Sequence, residues 1–92
     1  MTASREIIVS NSMGLHARPA MQFVDLANQF SSEIRVVKPG EEPVTADGKS
    51  VMQMIVLEAI EGTPLHIEAD GDDAEEAVKQ LAELFESKFG EE

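Results

Sequence analysis

Ninety-two residues, 42% hydrophobic and 27% charged, describe a globular chain able to build one modest core, neither disordered nor fibrous. The absence of cysteine excludes disulfides, thiol catalysis and thiolate metal sites together. A formal charge of −11 excludes nucleic-acid binding by counterion release, and no apolar run approaches the roughly 20 residues of a membrane span. Neither nucleic acid nor membrane insertion is expected, and residues 1–92 read as one domain. Met1-Thr2-Ala3-Ser4-Arg5-Glu6 lacks the apolar segment of a signal peptide, so the cytoplasm is the expected compartment.

Arg5 to Ser10 reads as a first strand, with Ile7, Ile8 and Val9 supplying β-branched residues. Asn11 to Leu15 is a loop around Gly14. A helix follows from about Ala17 to Phe30, with Ala20, Phe23, Val24, Ala27 and Phe30 spaced as its core stripe. Pro19 fits the first turn of that helix, where a missing N–H has no partner to lose. Glu33 to Lys38 alternates as a strand, with Ile34 and Val36 on one face and Arg35 and Val37 on the other. Pro39 to Pro43 is a turn, and Val44 to Ala46 is a short edge strand.

Asp47-Gly48-Lys49 turns the chain into a second helix of about eight residues. Ser50-Val51-Met52-Gln53 fits a capping box, with Ser50 as N-cap and Gln53 reaching back to its N–H. Met52, Met54, Ile55, Val56 and Leu57 make this helix apolar around much of its girth, more than so small a domain can bury. An exposed patch for partners is expected there, and methionines suit a surface that accepts more than one. Leu65 to Ala69 is a strand with Leu65, Ile67 and Ala69 inward and His66 and Glu68 outward. Asp70 to Asp73 turns and caps a last helix, whose stripe is Ala77, Val78, Leu81, Leu84 and Phe85, extended by Phe89. The order βαββαβα gives helices on one side of a four-stranded sheet, an open-faced sandwich of the α+β class.

Chemistry concentrates at Gly14-Leu15-His16-Ala17-Arg18-Pro19-Ala20. His16 stands where a strand hands over to a helix. The positive end of that helix disfavours a cationic ring, leaves a lone pair for use and favours a bound anion, commonly phosphate. Arg18 can offer a forked donor to phosphoryl oxygens. Neutral histidine, anion site and arginine together suit reversible phosphoryl transfer onto nitrogen; the alternative is an ordinary exposed histidine beside a cap. His66, mid-strand without a neighbouring cation, reads as a surface residue. No spacing supports a metal site or a hydrolase, and no cofactor or metal is expected.

Charge divides the chain unevenly. Twelve of the eighteen acids lie at or beyond Glu58, against Lys79 and Lys88 there. The His16 end is therefore expected to be the less negative pole, and the acidic half a solvated surface.

The segment Gly14 to Ala20 resembles the active-site signature of HPr, the histidine-containing phosphocarrier family of the bacterial phosphotransferase system. Gly48-Lys49-Ser50-Val51-Met52 is similar to that family's regulatory serine region, at about the family's separation. The resemblance implies an antiparallel sheet covered on one face by three helices. It implies a carrier rather than an enzyme: His16 accepts a phosphoryl group on Nδ1 from phosphorylated Enzyme I, originally from phosphoenolpyruvate, and passes it to EIIA domains. Arg18 would steady the group, and a monomer is expected.

Ser50 matches the serine phosphorylated by an HPr kinase/phosphorylase, besides its role as a cap worth about 1 kcal/mol. Docking is expected on Ala17, Ala20, Val51, Met52 and Ile55. Departures from the family pattern are Gln53, where many relatives have glycine, and Glu58, a charge late in an apolar run. Two other roles fit the residues. One is a regulatory HPr-like protein, nitrogen-type or kinase-controlled, that signals to kinases or transcription factors without sugar import. The other is a binding module that never carries phosphate.

Overall fold

The computed structural model describes residues 1–90. Its elements are β1 (Thr2–Ile8), α1 (Ala17–Ala27), β2 (Glu33–Lys38), β3 (Val44–Asp47), α2 (Val51–Val56), β4 (Pro64–Asp70) and α3 (Ala74–Glu86), closed by a 3-10 turn at Lys88–Gly90. The expected βαββαβα order is present. The strands pair antiparallel throughout, in the order β1-β4-β2-β3.

Alternation decides which face of the sheet is covered. Ile34 and Val36 of β2, and Leu65, Ile67 and Ala69 of β4, are buried, while Arg35, His66 and Glu68 remain partly exposed on the open face. There Arg35 Nε lies 3.4 Å from Glu68 Oε1, and His66 Nε2 lies 3.1 Å from Glu6 Oε2. Against the covered face pack Phe23 and Val24 of α1, Met54 of α2, and Ala77, Leu81 and Phe85 of α3. Phe85 makes edge-on contacts with Phe23 and Phe89, at centroid distances of 5.8 and 4.8 Å.

Several boundaries differ from expectation for identifiable reasons. β1 begins at Thr2 rather than Arg5, because β4 offers partners out to Asp70, opposite Thr2. α1 ends at Ala27 rather than Phe30: the Asn28 side chain donates to the Val24 carbonyl at 3.0 Å and competes with further helical bonds. Phe30 lies beyond the helix, only partly buried against the core. α2 spans six residues, and Glu58 then takes a left-handed backbone conformation with φ 51°.

Asp73 departs from its expected role as well. It stands at the N-cap of α3, yet its carboxylate makes no bond to that helix. It instead accepts from the backbone N–H groups of Ser31 and Ser32, at 2.9 and 3.0 Å, and from the Ser32 hydroxyl. The Ser32 hydroxyl, and then the Ser31 N–H, lower its carboxyl from an ordinary 3.8 to about 2. The bond ties the α1–β2 turn to the start of α3.

Candidate functional site

The loop from Asn11 to Leu15 places His16, and its own hydrogen bonds shape it. Buried Asn11 donates from Nδ2 to the Gly14 carbonyl at 2.7 Å, and Gly14 N–H returns a bond to the Asn11 carbonyl at 3.1 Å. Gly14 has φ +70°, where a Cβ would lie 2.6 Å from the Ala59 carbonyl oxygen and 2.9 Å from Ile60 Cα. Only glycine lets this loop lie flat against the segment after α2. Leu15 then donates to the Ala59 carbonyl at 2.8 Å and buries its side chain in the core.

His16, next in line, is held at the rim, half-buried and extended at φ −85°. It is the N-cap of α1: its carbonyl accepts from Ala20 N–H at 3.0 Å, while its ring makes no capping bond to the helix. Ala17 and Arg18 carry the leading N–H groups, which have no intrahelical partner. Pro19 has none to offer. No acidic side chain lies in this first turn, so the helix end keeps its positive potential. Arg18 is the second helical residue and is exposed. A cation, a helix N-terminus and an imidazole thus stand within three residues at the start of α1, an arrangement suited to holding a dianionic group on a ring nitrogen.

Ser50 opens α2 on the neighbouring element. Its Oγ accepts from Gln53 N–H at 3.2 Å, as half of a capping box requires. The other half is absent: Gln53 Oε1 accepts from Asp47 N–H at 2.8 Å, while Ser50 N–H donates to the Asp47 carbonyl at 3.0 Å. The edge of β3 competes for the glutamine and wins it.

Of the expected docking residues, Ala17, Met52 and Ile55 are exposed and Val51 is half-buried. Ala20 is corrected: it is 0% exposed, on the core side of α1 three residues before Phe23, and offers a partner nothing. The exposed neighbour is Met21, at 54%. Its spacing of three and four residues from Arg18 and Ala17 puts all three on the outer stripe, a signal already present in the sequence. Val56 and Ile60 also join the exposed apolar surface.

The acidic half of the chain also reaches this region. Glu58 and Glu61, from the acidic half of the chain, flank the Ala59–Ile60 segment that lies against Gly14 and Leu15. Sequence distance hid a contact made by the tertiary fold. A cavity of about 440 Å³ at Ser31, Arg35, Thr45, Asp47, Lys49 and Gln53 includes neither His16 nor Arg18. Among the described residues, no helix is long and apolar enough to cross a membrane.

Residues 3–87 match the family model described as the PTS HPr component phosphorylation site. This chain belongs to the HPr family. Phosphocarrier protein NPr of Proteus mirabilis is 41% identical over 91 residues, covering 99% of both chains. Phosphocarrier protein HPr of Pseudomonas aeruginosa is also 41% identical, over 94% of this chain and 93% of that one. The crystal structure of HPr-C-His from Thermoanaerobacter tengcongensis superposes with a TM-score of 0.86 at 44% identity, covering 98% of each chain. HPr proteins are phosphocarriers of the phosphotransferase system rather than catalysts, and histidine phosphorylation is general to the family.

Proposed function

We propose that this HPr-family protein accepts a phosphoryl group on His16 from phosphorylated Enzyme I and passes it to EIIA domains. The observation that carries the reading is His16 at the N-cap of α1, its ring outside the helix's own capping, with Arg18 exposed two residues on. The Nδ1 lone pair attacks the phosphorus of the donor's phosphohistidine. A P–N bond forms as the donor's P–N bond breaks, and the donor ring keeps the electron pair. Arg18 pairs with the phosphoryl oxygens, and the leading N–H groups of α1 add positive potential. The group stays at an exposed rim, so a second protein can reach it from outside. Ala17, Met21, Val51, Met52 and Ile55 supply the docking surface.

Ser50 is the proposed regulatory site for an HPr kinase/phosphorylase. Phosphate there places negative charge at a helix start that already uses an oxygen acceptor, so α2 persists while the docking surface changes.

A second reading is a regulatory phosphorelay without sugar transport. It stands beside the first because the chain is equally identical, at 41%, to the phosphocarrier protein NPr of Proteus mirabilis and to the HPr of Pseudomonas aeruginosa. Chemistry at His16 is the same in both.

The test mixes the protein with Enzyme I and phosphoenolpyruvate, then weighs it intact before and after brief acid treatment. One added phosphoryl group that acid removes, absent from His16→Ala, is the expected result. No label with an Enzyme I active on another acceptor sinks the proposal. Transfer onward to a sugar-specific EIIA, against transfer only to a regulatory one, separates the two readings.

A further inference from the structure

The chain contains five methionines and neither cysteine, tryptophan nor tyrosine. Thioether sulfur is therefore the side-chain group that a hydroperoxide oxidises first here, with no thiol competing for the oxidant. The fold sorts the five sulfurs into two environments. Met54, on the inner side of α2, is 0% exposed and belongs to the core. Met13, Met21 and Met52 are 72%, 54% and 78% exposed. Met1 is exposed as well, but its carbonyl accepts from Gly71 N–H at 2.8 Å, at the end of β1 away from the loop that carries His16.

Three of the exposed sulfurs lie close along the chain to His16 or Ser50. Met13 is the third residue of the turn closed by the bond from Gly14 N–H to the Asn11 carbonyl, three residues before His16. Met21 lies one turn along α1 from Arg18, on the same outer stripe. Met52 is the second residue of α2, two positions past Ser50. An apolar, polarizable thioether is covered by another protein at little cost. A sulfoxide is not, since its S–O dipole must give up water when covered.

We infer that Met13, Met21 and Met52 form a hydroperoxide-sensitive modification site, and that their oxidation to sulfoxide slows phosphoryl acceptance at His16. The sulfur attacks the hydroxyl oxygen of the hydroperoxide and an S–O bond forms as the O–O bond breaks. The hydroxyl proton moves to the departing oxygen, which leaves as water or an alcohol; sulfur loses two electrons and the peroxide gains them. Methionine sulfoxide reductases reverse the change, the oxygen leaving as water while two thiols become a disulfide. The inference rests on the phosphocarrier reading and adds a redox control on it.

The experiment treats the whole protein with hydrogen peroxide and maps the added oxygen by peptide mass. The peroxide is then removed, and acceptance from untreated, charged Enzyme I is followed by intact mass. One oxygen on each of Met13, Met21 and Met52 before any on Met54 is expected, with acceptance slowed about fivefold or more. The urea midpoint should not move, and reductases for both sulfoxide epimers, with a dithiol, should restore the rate. A variant combining Met13→Leu, Met21→Leu and Met52→Leu keeps Met1 and Met54. Whatever its own starting rate, its ratio of treated to untreated rate should stay near one. An undiminished rate with all three sulfurs oxidised overturns the inference and leaves the phosphocarrier reading standing. Slowing that appears only once Met54 is oxidised, or that is equal in the triple variant, does the same. No acceptance by the untreated protein, with Enzyme I active on another acceptor, overturns both.

Discussion

The starts of α1 and α2 each open on a residue proposed to take phosphate, yet they are built differently. At α2 the N-cap side chain holds the helix, because Ser50 Oγ accepts from Gln53 N–H. At α1 the N-cap ring makes no capping hydrogen bond, and Ala20, Phe23 and Val24 are buried in the core. The difference separates two kinds of modification. A group that arrives and leaves at each turnover suits a side chain that makes no capping bond. A group that alters the surface more durably can replace one capping oxygen with another.

His16→Ala breaks the comparison most completely: phosphoryl acceptance from Enzyme I disappears, while stability by urea denaturation stays within about 1 kcal/mol of the parent. A large loss of stability would mean that the ring supports α1 after all. Arg18→Ala should slow acceptance by about tenfold or more, again with an unchanged fold; stopped-flow transfer from charged Enzyme I reads it. Gly14→Ala attacks the loop rather than the chemistry. A Cβ at φ +70°, 2.6 Å from the Ala59 carbonyl, should cost about 2–4 kcal/mol in the same denaturation assay.

Ser50→Ala removes a capping oxygen and should cost about 1 kcal/mol, leaving His16 phosphorylation in place. Equal stability in Ser50→Ala would erase the contrast between the two helix starts. The third helix start is read through pH, since Asp73 spends its carboxylate on Ser31 and Ser32. Its carboxyl is lowered from 3.8 to about 2, so its contribution is complete above the unfolded value and is lost as pH falls through about 2. Asp73→Asn should therefore flatten the stability profile between about pH 4 and 2, measured by thermal unfolding.

Much of this was legible along the chain. β2 and β4 alternate so regularly that their inward and outward faces follow from hydrophobic period alone, with Ile34, Val36, Leu65, Ile67 and Ala69 buried as expected. The exposed apolar excess of α2 was readable because a short helix cannot bury residues around its whole circumference. Where reading failed, two local rules competed. Gln53 could cap its own helix or the edge of β3, and Asp73 could cap α3 or tie down the α1–β2 turn. Both side chains chose a partner that only the fold brings near. Ala20 failed differently: its motif position suggested docking, but helical period points it inward and exposes Met21 instead.

What the sequence by itself determined is the order of elements, the helix start at His16 and Ser50, and the family signature, because short-range spacing and side-chain shape control these. Tertiary structure alone decided that Gly14 lies against Ala59 and Ile60, carrying that segment of the acidic half to the loop before His16. Contacts between segments more than forty residues apart depend on how α1 and α2 pack over one sheet. No local pattern encodes that.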